Sequence, residues 1–141
     1  MRLLHTRDIH LEEFLGENIP PYAILSHTWG EEEISLQDMR LGEASKRKAY
    51  KKLLGCCCQA QSDGYFWVWI DTCCIDKSSS AELQEAINSM FTWYQLSSVC
   101  YAYLEDVPNL QHGWGTSFRK SRWWERGWTL RTLETTFNID R

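Results

Sequence analysis

No stretch of this 141-residue chain approaches the roughly 20 uninterrupted apolar residues that a membrane-spanning helix needs, and no lysine or arginine run forms a basic block. The first absence argues against a membrane protein. The second accompanies 15 Lys plus Arg against 19 Asp plus Glu and a net charge of −4, so the electrostatic footprint of a nucleic-acid or anionic-membrane binder is missing. Neither partner is expected. No secretory leader is expected either, because Asp8, Glu12 and Glu13 fall where its apolar run would lie, and a cytoplasmic location is expected. Disulfide spacing is also absent. The six cysteines are bunched as Cys56-Cys57-Cys58, Cys73-Cys74 and a solitary Cys100, and no C-x-x-C occurs to partner the close histidine pair His5 and His10. They read as reduced, metal-free small hydrophobes, and no metal site is expected.

What is present is the usage of an ordinary globular domain, 43% apolar and 24% charged, which excludes disorder and coiled coil. A chain of this length buries roughly two-thirds of its unfolded surface, and one domain over residues 1–141 is expected.

Periodicity gives the order of elements. Leu3 and Leu4, then residues 11–15, are short apolar pieces ahead of Pro20-Pro21, whose fixed φ and missing N–H demand a loop. Residues 22–25 form a continuous apolar run, the pattern of a strand covered on both faces. Glu31-Glu32-Glu33 reads as a solvated loop without chemistry. Between residues 45 and 61, Tyr50, Leu53, Leu54, Cys57 and Cys58 recur at helical spacing, with Lys46, Lys48, Lys51 and Lys52 on the remaining surface. Residues 66–70 make a second strand, closed by Asp71. Ser79 and Glu82 have the spacing of a capping box and open a helix with the apolar stripe Leu83, Ala86, Ile87, Met90, Phe91 and Tyr94. Residues 99–104 form a third strand, and residues 121–133 a last helix with Ser121 as its cap. The eight tryptophans read chiefly as core anchors. Helical connections of this length make the three strands parallel neighbours, so the expected fold is α/β, a doubly wound sheet of mostly parallel strands.

In such a sheet, ligands bind beyond the carboxyl ends of the strands. Ser26 and His27 end the first strand, Asp71 followed by Asp76 the second, and Glu105 and Asp106 the third, so three polar sets share one edge. Asp71 and Glu82 are the candidate catalytic acids, with turn capping and the capping box as their structural alternatives.

Three blocks carry a resemblance. Pro20-Pro21-Tyr22-Ala23-Ile24-Leu25-Ser26-His27-Thr28-Trp29-Gly30, then Trp69-Ile70-Asp71-Thr72-Cys73-Cys74-Ile75-Asp76-Lys77, then Ser121-Arg122-Trp123-Trp124 with Arg126-Gly127-Trp128-Thr129-Leu130 resemble, in order and interval, the signature blocks of the fungal heterokaryon incompatibility (HET) domain. The resemblance implies a filamentous fungus, an intracellular protein, a role in non-self recognition leading to programmed cell death, and protein partners that include homotypic HET contacts. HET domains in turn resemble the flavodoxin-like TIR domain of innate immunity, some members of which cleave the nicotinamide–ribose bond of NAD; NAD is therefore the implied ligand or substrate. On that reading Ser26 and His27 hold phosphate or ribose, with Gly30 beside them, Asp71 and Asp76 bond ribose hydroxyls, and Trp29 or Trp128 stacks on a ring.

The TIR catalytic glutamate lies in a Trp-Cys-Leu-Asp-Glu-like run, whose HET counterpart reads Arg-Gly-Trp-Thr-Leu-Gln-Glu-Leu. Here Thr132 stands at the glutamate position. Glu134 lies about 200° around a helix from it, and Glu125 about two turns, roughly 10 Å, away, so neither substitutes. The tail after Leu130 departs from the family pattern, which suggests a chain truncated or alternatively spliced at its C-terminus. Two functions stand: a non-catalytic interaction module, and an NAD glycohydrolase binding NAD at the sheet edge.

Overall fold

The computed structural model describes residues 1–107 and 116–125, and the backbone of a strand at Phe137–Ile139. One six-stranded sheet organises them. Its strands are β1 (Arg2–His5), β2 (Leu11–Glu13), β3 (Ala23–His27), β4 (Trp67–Trp69), β5 (Val99–Tyr103) and β6 (Phe137–Ile139), in the spatial order β2-β1-β4-β3-β5-β6. The helices are α1 (Leu36–Arg40), α2 (Tyr50–Ser62), α3 (Ser80–Leu96) and the short α4 (Thr116–Arg119), with 3₁₀ turns at Ala44–Lys46 and Arg122–Glu125.

The three strands expected from continuous apolar runs are present, with β3 paired in parallel to both β4 and β5. β3 is buried at every position and β5 at all but Tyr103, as strands covered on both faces must be. The sheet as a whole is mixed, which corrects the expectation of a mostly parallel one. β1 pairs antiparallel with both β2 and β4, so the N-terminal apolar pieces form a hairpin added to the β4 edge, while β6 continues the parallel part beside β5.

The expected helix over residues 45–61 starts late. Residues 44–46 form a 3₁₀ turn that Arg47 ends in an extended conformation, because its guanidinium reaches back to Asp38 Oδ1 at 2.6 and 2.9 Å. α2 stops at a Schellman motif, in which Tyr65 N donates to Ala60 O and Gly64 N to Gln61 O, with Gly64 at φ 86°. Its buried residues are Leu53, Cys56, Cys57 and Ala60, whereas Cys58, expected inside, is exposed and Lys52, expected outside, is not.

Only half of the Ser79 capping box forms: Ser79 Oγ accepts from Glu82 N at 3.3 Å, but the Glu82 carboxylate is engaged elsewhere. A complete box stands instead at Ser35 and Asp38. Ile87, expected in the α3 stripe, is 45% exposed. The core centres on Leu3, Leu4, Ile24, Val68, Trp69 and Tyr101, and Trp69 packs against Trp93 of α3 at 5.5 Å between ring centroids. After Ser121 the structure forms a 3₁₀ turn over Arg122–Glu125, and the rest of the expected last helix lies outside the described residues. Among the described residues no helix is long and apolar enough to cross a membrane.

Candidate functional site

Because β3, β4 and β5 run parallel, their carboxyl ends lie at one edge. Taken in chain order, the parallel strands stand as second, first, third and fourth, so the direction of winding reverses between β3 and β5. Such a switch point splays the loops that follow the two strands and opens a crevice between them. A cleft of about 640 Å³ lies there, lined by Trp29 and Gly30 after β3, Tyr103 and Glu105 at the end of β5, and Glu33 and Lys52 between them.

Beneath the cleft, His27 is fully buried and its Nε2 stands 2.9 Å from Asp71 Oδ1. A carboxylate only accepts, so Nε2 carries the hydrogen and donates it. The other carboxylate oxygen, Oδ2, accepts from Trp29 Nε1 at 3.0 Å. Asp71 therefore ties the loop after β4 to the loop after β3. Among the described residues His27 Nδ1 has no hydrogen-bond partner, and it lies 4.0 Å from Glu33 Oε1. The Trp29 ring, 54% exposed, carries the Lys77 ammonium 3.6 Å from its centroid, a cation held against the negative ring face.

Glu33 is the inward member of the acidic run that was read as solvated. Its Oε1 accepts from Gly30 N at 2.7 Å and from the Lys52 ammonium, and both charged side chains are largely withdrawn from solvent, at 15% and 8% exposure. Lys52 lies 5.7 Å from the centroid of the Tyr103 ring. Burial, followed by the Glu105 and Glu33 carboxylates, pushes the Tyr103 hydroxyl above its ordinary pKa. A Cβ at Gly30 would stand 3.3 Å from Glu105 Oε2, so glycine lets that carboxylate approach the backbone.

The expected residues separate into groups. Trp29 and Gly30 line the cleft, while His27 and Asp71 support it from below. Ser26 is buried, and its Oγ accepts from Trp123 Nε1 at 3.1 Å. Trp123 is in turn anchored by Asp106, which accepts from Ser121 Oγ at 2.6 Å and Arg122 N at 2.8 Å; the Ser121 hydroxyl holds the Asp106 carboxyl below its ordinary range.

Asp76 and Glu82 belong to a second cluster. Asp76 lines a separate recess of about 330 Å³ with Arg40, Lys77 and Ser78, and the Ser78 hydroxyl and N–H, with Arg40 beyond them, lower its pKa. Glu82 is paired with Arg2 and accepts from Asp76 N at 2.7 Å; the Arg2 guanidinium holds its carboxyl below the usual range. Trp128 and Thr132 lie outside the described residues.

Sequence reasoning missed Glu33 and Lys52. The only signal for Glu33 was its place three residues after Gly30, where a side chain can turn back onto a backbone N–H. Lys52 had none beyond its position next to the apolar stripe of α2.

The family profile described as "Heterokaryon incompatibility protein (HET)" matches residues 22–113, the span that supplies β3, β4, β5 and most of the cleft. The vegetative incompatibility protein HET-E-1 of Podospora anserina is 52% identical over 145 residues, covering 94% of this chain and 11% of the relative. The chain thus spans about a tenth of that relative's length. No solved structure matches it. A profile match over most of the chain, together with a relative sharing half of its residues, establishes that this chain belongs to the heterokaryon incompatibility (HET) protein family.

Proposed function

We propose that the chain acts in fungal non-self recognition leading to cell death, as an interaction module that does no chemistry of its own and signals through protein partners, homotypic HET contacts among them. One observation carries this reading: both acids that the sequence offered for catalysis are committed to holding the structure. Asp71 bonds His27 and Trp29, and Glu82 bonds Arg2 and the Asp76 amide. A carboxylate that acts as nucleophile or general base must face the reacting atoms, and neither of these does so while it holds its partners. The switch-point cleft serves as the ligand site through which binding is sensed.

A second reading, an NAD glycohydrolase, is favoured by the place of that cleft. The winding of the parallel strands matches the flavodoxin-like order, which supports a TIR-like assignment, and the exposed face of Trp29 offers a stacking surface at the rim. Hydrolysis through a ribosyl-cation-like state requires a carboxylate beside the sugar, which Thr132 does not supply. NAD cleavage by the purified chain, beside Thr132→Glu, tests the two readings. The unmodified chain is expected to show no turnover, and the substitution to raise it by about a hundredfold or more if the rest of the cleft is competent. Robust turnover by the unmodified chain would overturn the module reading.

A further inference from the structure

The corner of the sheet opposite the cleft brings two histidines and an aspartate together. His5 ends β1 and lies opposite Trp67, the first residue of β4, so this corner sits at the amino ends of the parallel strands. The chain turns back across Thr6 to Ile9, closed by His5 N donating to His10 O at 2.8 Å and Ile9 N donating to His5 O at 3.0 Å. Ile9 has φ 51°, a left-handed conformation that β-branched residues seldom adopt. The turn sets the His10 ring over that of His5, with centroids 5.1 Å apart. Asp8 Oδ2 stands 3.0 Å from His5 Nδ1, and one ligand atom from each of His5, Asp8 and His10 lies within 4.8 Å of the others.

We propose that His5, Asp8 and His10 bind a divalent transition-metal ion, zinc in the first instance. Two imidazoles and one carboxylate are a donor set for zinc, whereas calcium and magnesium require oxygen ligands. Zinc holds nitrogen and oxygen at about 2.0–2.1 Å, which puts tetrahedral neighbours roughly 3.3–3.5 Å apart. The His5 and Asp8 atoms are already near that separation. Closing the remainder requires rotation of Asp8 and a smaller adjustment of the His10 ring, whose side chains are 62% and 50% exposed. The ion replaces a long hydrogen bond from Asp8 N to His5 Nδ1 at 3.3 Å, and water completes the fourth corner. Glu12 Oε2, 3.8 Å from His10 Nε2, adds negative charge at the rim. Trp67 packs edge-on against His5 at 4.9 Å and His10 at 6.0 Å, which limits the orientations of both rings. The sequence offered no thiolate for this histidine pair; the turn supplies a carboxylate instead.

Isothermal titration of the untagged, reduced chain with zinc sulfate tests the site. One ion per chain is expected, with binding weakened at least about tenfold in His10→Ala and in Asp8→Ala while far-UV circular dichroism is unchanged. The exposed thiol is controlled by Cys58→Ser, which should bind zinc as the unmodified chain does. Should His10→Ala unfold, His10→Gln gives the same reading at nearly constant size. Three results would each overturn the proposal: no uptake at millimolar zinc, uptake that survives both ligand substitutions, or uptake abolished by Cys58→Ser.

Discussion

Replacing Asp71 by alanine removes the acceptor that serves two ring N–H groups from different depths, so its cost can be divided. Trp29 is 54% exposed, and water takes over the bond to its Nε1 with little penalty. His27 is at 0% exposure, and truncation of Asp71 leaves its Nε2 facing the vacated space instead of an acceptor. A buried donor left unsatisfied costs about 1–3 kcal/mol, and loss of a bond to a charged acceptor lies at the upper end of that range. Asp71→Ala is therefore expected to destabilise the fold by about 2–4 kcal/mol, and Trp29→Phe by less than about 1 kcal/mol. For a chain of this size such a loss lowers Tm by roughly 6–15 °C. Urea denaturation followed by tryptophan fluorescence and by far-UV circular dichroism gives both values. An Asp71→Ala variant within about 0.5 kcal/mol of the unmodified chain, or a Trp29→Phe variant equally costly, would refute the assignment of the cost to His27.

Ser26→Ala should cost about 0.5–1.5 kcal/mol by removing the hydroxyl that accepts from Trp123 Nε1, and thermal melts will measure it. The Arg2 and Glu82 side chains are 17% and 29% exposed, and their pairing depresses the Glu82 carboxyl from its ordinary 4.5. A depressed carboxyl stabilises above its ordinary value and loses that effect as pH falls through the folded value, so Arg2→Ala should cost about 1 kcal/mol at pH 6 and progressively less as the pH falls below 4.5. A gap that persists in acid urea melts would contradict this. Burial pushes the Cys57 and Cys100 thiols from an ordinary 9.0 up to about 12. Their stabilising effect is complete below the ordinary value and is lost as pH rises through the folded value, so base denaturation should begin near pH 9. A thiol-specific reagent at neutral pH should label the exposed Cys58 quickly and the five buried cysteines only as the protein opens.

The parallel strands were legible because continuous apolar runs between helical segments leave few other arrangements. The N-terminal hairpin was not, since the turn from Thr6 to Ile9 has no glycine or asparagine and depends on the left-handed Ile9. Topological reasoning brought His27 and Asp71 to one edge correctly, although it could not show that Trp29 would share the same carboxylate. Glu33 and Lys52 escaped because helical periodicity assigns a lysine to the wet face; its burial arises from a carboxylate on a loop well before it in the chain. The late start of α2 has a similar origin, since the bond from Arg47 to Asp38 overrides the spacing of residues 45–49. Local pattern does not encode such long-range polar pairing.

The insertion of β1 between β2 and β4 has a consequence for synthesis on the ribosome. β1 and β2 are close in sequence and can pair as soon as both emerge, but the inner partner of β1 begins at Trp67, about 60 residues later. At about 5–20 residues per second, that leaves roughly 3–12 s in which Leu3 and Leu4 occupy an open strand edge. The nascent chain is most exposed to mispairing with a neighbouring copy during that interval. Translation speed through residues 14–66 therefore sets how long that edge stays open.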